Sequence, residues 1–130
     1  MKKYKIMLLL LIGIALFLMS CSSDSRTAAP KAVEKYLQAL VEEDANRLSM
    51  LVCKDFEQQA RLELDSFIGV KASLKNMKCD QSGTDGDVAL VTCSGSIVAT
   101  YNNEQQELPL TGRTYRVIME GGDWLVCGYQ

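Results

Sequence analysis

Residues 56–80, FEQQARLELDSFIGVKASLKNMKCD, hold the change of character that decides the fold. In the first half Phe56, Ala60, Leu64 and Phe67 recur at helical spacing, while Asp55, Glu57, Gln58, Arg61 and Asp65 fall off that stripe. This pattern predicts an amphipathic helix. Gly69 supplies a stop, because it accepts the left-handed backbone that closes many helices. From Lys71 onward the helical period is lost and the chain reads as strand.

Upstream of this switch the pattern is helical. Val33, Tyr36, Leu37, Leu40 and Val41 follow Pro30, a residue suited to a first helical turn. Asp44 can cap a second short helix carrying Leu48, Leu51 and Val52. Downstream, residues 72–80, 87–101, 105–120 and 123–129 read as four strands. They are separated by turn signals at Asp85-Gly86, Asn102-Asn103 and Gly121-Gly122. Ala89, Val91, Cys93, Gly95, Ile97 and Ala99 share one face of the second strand, and Tyr115, Val117 and Met119 share one face of the third. Helices first and antiparallel strands after is an α+β order, with the helices packed on one side of the sheet. About 100 residues in this pattern make one domain, with no internal repeat.

The N-terminus reads as a targeting segment. Lys2, Lys3 and Lys5 precede an apolar run of 14 residues from Ile6 to Met19, and Leu18-Met19-Ser20-Cys21 forms a lipobox. The run is short of the ~20 residues that span a bilayer as a helix. The expected organisation is therefore a lipoprotein signal peptide over 1–20, a lipidated Cys21 with a flexible tether over 21–29, and a globular domain over 30–130. Diacylglycerol on the Cys21 thiol and a palmitate-type chain on its new amino group would make the attachment to membrane stable. The domain would then lie outside the cytoplasm, on the outer face of the cell membrane. In a cell with two membranes, Ser22 fits sorting to the periplasmic side of the outer membrane. Cleavage would leave eleven basic against sixteen acidic residues, a net −5. With no basic stripe, nucleic acid is not an expected partner.

Four further cysteines, Cys53, Cys79, Cys93 and Cys127, suit two disulfides in that compartment. A metal site is not expected, because the chain has no histidine and no Cys-x-x-Cys. A two-residue turn at Asp85-Gly86 would pair Cys79 with Thr92. A three-residue loop or a bulge would bring Cys79 opposite Cys93, and this pairing is the one expected. Cys53 then joins Cys127 by elimination.

The stretches EEDANRLSMLVCKDF (42–56) and GGDWLVCGY (121–129), with the helix turn near Asp44, the aromatic Phe56 and the terminal Trp124-Leu125-Val126, resemble the nuclear transport factor 2-like fold. More narrowly, residues 30–130 are similar to small bacterial lipoproteins that carry this fold as a domain of unknown function. The resemblance implies a cone whose curved sheet wraps around the helices and often leaves an internal pocket. Enzymes, ligand binders and structural modules all use it, and some members dimerise through the outer sheet face.

Chemistry is sparse. Without histidine, the hydrolase triads are excluded, and the acids and bases left on strands are Asp80, Glu107, Glu120, Tyr101 and Tyr115. None is singled out as catalytic. No cofactor-binding motif is present. Glu42, Glu43 and Asp44 read as a solvated helix end, and Trp124 as a core or rim residue of the last hairpin. Leu108-Pro109-Leu110-Thr111-Gly112 matches a sortase signal but continues into strand sequence with no apolar tail, so it reads as a coincidence inside a strand. The expected function is binding, without catalysis, of a small molecule or an envelope partner, a homodimer included. The alternative is a small enzyme that uses a pocket Asp, Glu or Tyr as acid or base.

Overall fold

The computed structural model describes residues 25–130; the expected signal peptide and Cys21 lie outside them. Three helices come first, α1 (Ser25–Val41), α2 (Ala45–Leu51) and α3 (Lys54–Asp65). Five strands follow, β1 (Lys71–Asp85), β2 (Val88–Tyr101), β3 (Glu104–Pro109), β4 (Thr114–Glu120) and β5 (Asp123–Tyr129). Every strand pairing is antiparallel. The α+β class is as expected, with the switch from helix to strand between Asp65 and Lys71.

Two boundaries differ from expectation. First, α1 begins at Ser25 and not at Pro30, so the stretch expected as tether is helical over its last five residues. Ala29 and Pro30 are buried, and that packing offsets the backbone bond that a proline inside a helix cannot make. Secondly, the sheet has five strands instead of four, because the expected strand 105–120 is broken. β3 pairs with Ser96–Tyr101 of β2 and β4 with Ala89–Thr92 of the same edge. Leu110, Thr111, Gly112 and Arg113 fill the gap, so the sortase-like segment lies at a strand break and not inside a strand.

That break belongs to a line of irregularities crossing the sheet. Opposite it on β2 stands Gly95, whose carbonyl accepts from the Leu110 amide at 3.0 Å. Beyond Gly95, β1 carries an extra residue between Lys75 and Lys78, with Asn76 at φ 51°. A bulge bends its strand and increases local twist. Here the bulge and the break on either side of Gly95 let one sheet curve round the helices. Gly95 itself has φ 89°, and a Cβ there would lie 2.5 Å from the Lys75 and Asn76 carbonyl oxygens. No other residue fits at this position.

The concave face and the helices close on one core. Tyr36, Leu37, Leu40 and Leu48 come from the helices, and Val91, Tyr115, Val117 and Val126 from the sheet, all with less than 2 % exposure. Asp44 caps α2 by accepting from the Arg47 amide at 3.0 Å. Cys79 and Cys93 stand opposite each other on β1 and β2 with Cα atoms 4.1 Å apart, at bonding distance. The register comes from a Gly86-Asp87 turn together with a bulge at Ser82. Cys53 and Cys127 are also at bonding distance, with Cα atoms 5.1 Å apart. The Cys53 amide donates to the Val126 carbonyl at 3.0 Å, which ties the α2–α3 junction to β5.

Candidate functional site

The strand-borne acids named from sequence are spread over the outside. Asp80 is exposed and pairs with Lys78 at 3.1 Å. Glu107 is exposed; the buried Ser96 hydroxyl donates to it at 2.7 Å and Lys75 lies 3.3 Å away. The Ser96 hydrogen bond, then Lys75, hold the Glu107 carboxyl below its ordinary value. Glu120 faces Asp123 across the β4–β5 turn, both in solvent. Tyr101 is 61 % exposed, whereas Tyr115 is fully buried. No two of these five share a site. Glu42 and Asp44 pair with Arg47, so these acids form the solvated helix end expected of them.

The partly buried carboxylate that the sequence did not single out is Glu63. It lies off the apolar stripe of α3, near the C-terminal end of the helix, with its side chain 13 % exposed. Its Oε2 accepts from the Tyr36 hydroxyl of α1 and its Oε1 from Arg113 Nη1 at the strand break, each at 2.5 Å. Arg113 also lies over the Tyr129 ring, 4.2 Å from its centroid, a cation–π contact. Phe56, Tyr36, Tyr115 and Tyr129 form a closed set of ring contacts with centroids 5.7–6.2 Å apart. Burial first, then the Glu63 charge, raise the Tyr36 hydroxyl far above its ordinary value, so it stays neutral. Burial also raises Tyr115, and the charge of Arg113 draws it partway back. Burial alone would lower the Arg113 guanidinium; the hydrogen bond and charge of Glu63 more than reverse this and hold it above its ordinary value. The Tyr115 hydroxyl is hidden from solvent, and Arg113 is the polar neighbour whose charge and hydrogen bond act on it. Chemically the cluster is a charge-neutral plug between α1, α3 and the strand break: one carboxylate, one guanidinium and a neutral phenol joined by two hydrogen bonds. Among the described residues no group of three or more His, Cys, Asp or Glu is placed to hold a metal ion.

The surface offers two apolar grooves. One, of about 390 Å³, lies between the α3–β1 loop and the β2–β3 hairpin, lined by Phe67, Val70, Ala99, Tyr101 and Leu108 with polar Ser66, Glu104 and Gln106. Ile68 beside it is 63 % exposed and Leu108 42 %. The sequence shows no exposed apolar stripe, because these side chains come from three segments and only folding gathers them. The other groove, of about 470 Å³, lies between α1, the end of α2 and the β4–β5 turn. Trp124 lines it while also packing on the core from the rim, as expected of the last hairpin.

No protein-family model matches the chain and no curated protein matches it. Among solved structures it is similar to a designed nuclear transport factor 2-like protein, a variant of the chain titled Rd1NTF2_05. The two share 14 % identity with a TM-score of 0.49, over 77 % of this chain and 92 % of that one.

Proposed function

We propose that the chain is a lipid-anchored, extracytoplasmic domain of the nuclear transport factor 2-like kind, without catalytic activity, that binds an envelope protein through the groove lined by Phe67, Tyr101 and Leu108. The observation that carries this reading is the exposure of Tyr101 and Leu108 in one concave surface, with exposed Ile68 next in sequence to its lining residue Phe67, on a domain whose net charge otherwise keeps it in water. The interior supports it from the other side. Tyr36, Phe56, Tyr115 and Tyr129 pack on one another and Arg113 neutralises Glu63 beside them, so a ligand entering there would have to displace packed rings and an ion pair. The lipobox ending in Cys21 supplies the anchor.

A photo-crosslinking residue at position 101 of the lipidated protein, with a control at exposed Gln58 on α3, tests the groove. A partner joined at 101, absent at 58, and lost in Ile68→Glu is expected. Equal labelling at both positions would overturn the groove. Intact mass of the extracted protein should show Cys21 as the N-terminal residue, carrying acyl chains, and would also reveal a dimer. An enzyme using Glu63 and Tyr115 is the second reading, supported by the buried Tyr115 hydroxyl close to Arg113 and Glu63. It requires Arg113 to move away, and it predicts a ligand whose binding is abolished in Glu63→Gln.

A further inference from the structure

The groove beside α1 carries a different chemistry. Ala28, Lys31, Ala32 and Lys35 form one stripe on the N-terminal half of α1, facing Met50 and Leu51 of α2 and Gly122, Asp123, Trp124 and Leu125 of the β4–β5 hairpin. Lys31 and Lys35 are exposed and one helical turn apart. The acid between them, Glu34, is turned to the sheet, where it accepts from the Cys79 amide at 3.3 Å. Met50 is 69 % exposed, and Met119, directly across from Trp124 on β4, is 39 % exposed. The indole N–H of Trp124 is itself hidden from solvent and has no acceptor among the described residues, so it is the ring and not the N–H that lines the groove. Two lysines above a tryptophan and two exposed methionines match the membrane–water interface, where cations meet phosphate and an indole sits at headgroup level.

The early start of α1 fixes where this face must lie. Only Ser22, Ser23 and Asp24 separate Cys21 from Ser25, so those four Cα steps reach at most about 14 Å. Lys35 lies ten residues further, about 15 Å along the helix axis. The lipid anchor therefore holds the N-terminal half of α1 close to the headgroups. The mature chain is acidic overall, but screening within about 8–10 Å makes the nearest patch, not the total charge, decide how the domain meets an anionic surface. We propose that this groove is the membrane-docking face of the domain, with Lys31 and Lys35 on anionic phospholipid headgroups and Trp124 and Met50 in the interfacial layer. The inference rests on the anchoring reading above.

Trp124 is the single tryptophan of the chain, so its fluorescence reports the contact directly. The lipidated protein is reconstituted into vesicles of phosphatidylcholine and phosphatidylglycerol with brominated acyl chains, and both vesicle flotation and quenching are read. Flotation with Trp124 quenched about two-fold or more is expected, with the quenching lost at high salt and in Lys31→Glu/Lys35→Glu while flotation persists. Flotation with an unquenched Trp124 overturns docking and leaves anchoring intact. Quenching that ignores both salt and the lysines also overturns it. Absence of flotation, with no acyl mass on Cys21, overturns the anchoring reading and this inference together.

Discussion

Glu63 and Gly95 carry the most at the scale of single residues. Glu63 joins α1, α3 and the strand break through two charge-assisted or short hydrogen bonds. Glu63→Ala should cost about 2–4 kcal/mol in denaturant unfolding, since it leaves Arg113 without its carboxylate and strands the buried Tyr36 hydroxyl. Glu63→Gln, which keeps an acceptor, should cost less. A loss within error for the alanine variant would show the plug to be decorative. The same cluster sets the alkaline limit. Tyr36 and Tyr115 are raised in the folded state, so the stability tied to their neutral forms is fully present below the ordinary tyrosine value near 10 and is lost as pH rises above it. In a tyrosinate absorbance titration of the chain from Cys21 onward, with its four tyrosines, Tyr36 and Tyr115 should ionise only as the fold is lost, seen by circular dichroism. Smooth ionisation of all four in a folded protein would contradict the burial of these two rings. Gly95→Ala meets two carbonyl oxygens at 2.5 Å in a positive-φ position and should destabilise by at least about 2 kcal/mol. Full stability by thermal melting would mean the sheet bends elsewhere.

At the scale of elements, the bend across β1, β2 and the β3–β4 break decides what the sheet can enclose. Its parts are visible in sequence only as an isolated glycine and as Leu110-Thr111-Gly112 between two apolar-patterned runs. The strand alternation of Tyr115, Val117 and Met119 was legible because it depends on a period of two in one short segment. The break was not, because it is fixed by Gly95, a residue some fifteen positions away that pairs with it. The cysteine pairs act at this scale too. Cys53 and Cys127 are 74 residues apart and Cys79 and Cys93 only 14. In the chain-entropy account, replacing the first pair by serine should therefore cost about 1.5 kcal/mol more than replacing the second. Denaturation of the two double variants under non-reducing conditions checks this ordering, and the reverse order would show that the short bridge braces the native hairpin itself.

On the scale of the whole molecule, the two grooves are built from different elements, and their linings divide the labour between them. The Phe67–Tyr101–Leu108 groove is apolar with a polar rim and suits a protein; the Lys31–Lys35–Trp124 groove is cationic and aromatic and suits a headgroup surface. A domain docked by the second would present the first away from the bilayer only if the two faces diverge. Leu108→Glu should therefore abolish partner crosslinking from position 101 without altering Trp124 quenching by lipid, and the two assays on one preparation test that separation. Coupled loss of both would mean a single continuous surface.

Local periodicity in the chain was enough for the α+β order, the helical stripes through Tyr36 and Phe56, the inward face of β2, the Asp44 cap and the hairpin that brings Cys79 towards Cys93. Each of these rests on interactions between residues a few positions apart, whose spacing the sequence displays directly. Folding alone decided the rest. Glu63 reads as one more polar residue of α3 until Arg113, fifty positions later, closes on it. Lys31 and Lys35 read as a solvated helix face until the β4–β5 hairpin sets Trp124 beside them. Phe67, Tyr101 and Leu108 read as scattered apolar residues until folding brings them together round one groove. Such contacts depend on how far the sheet curves, a property of the backbone in three dimensions that no single stretch of residues carries.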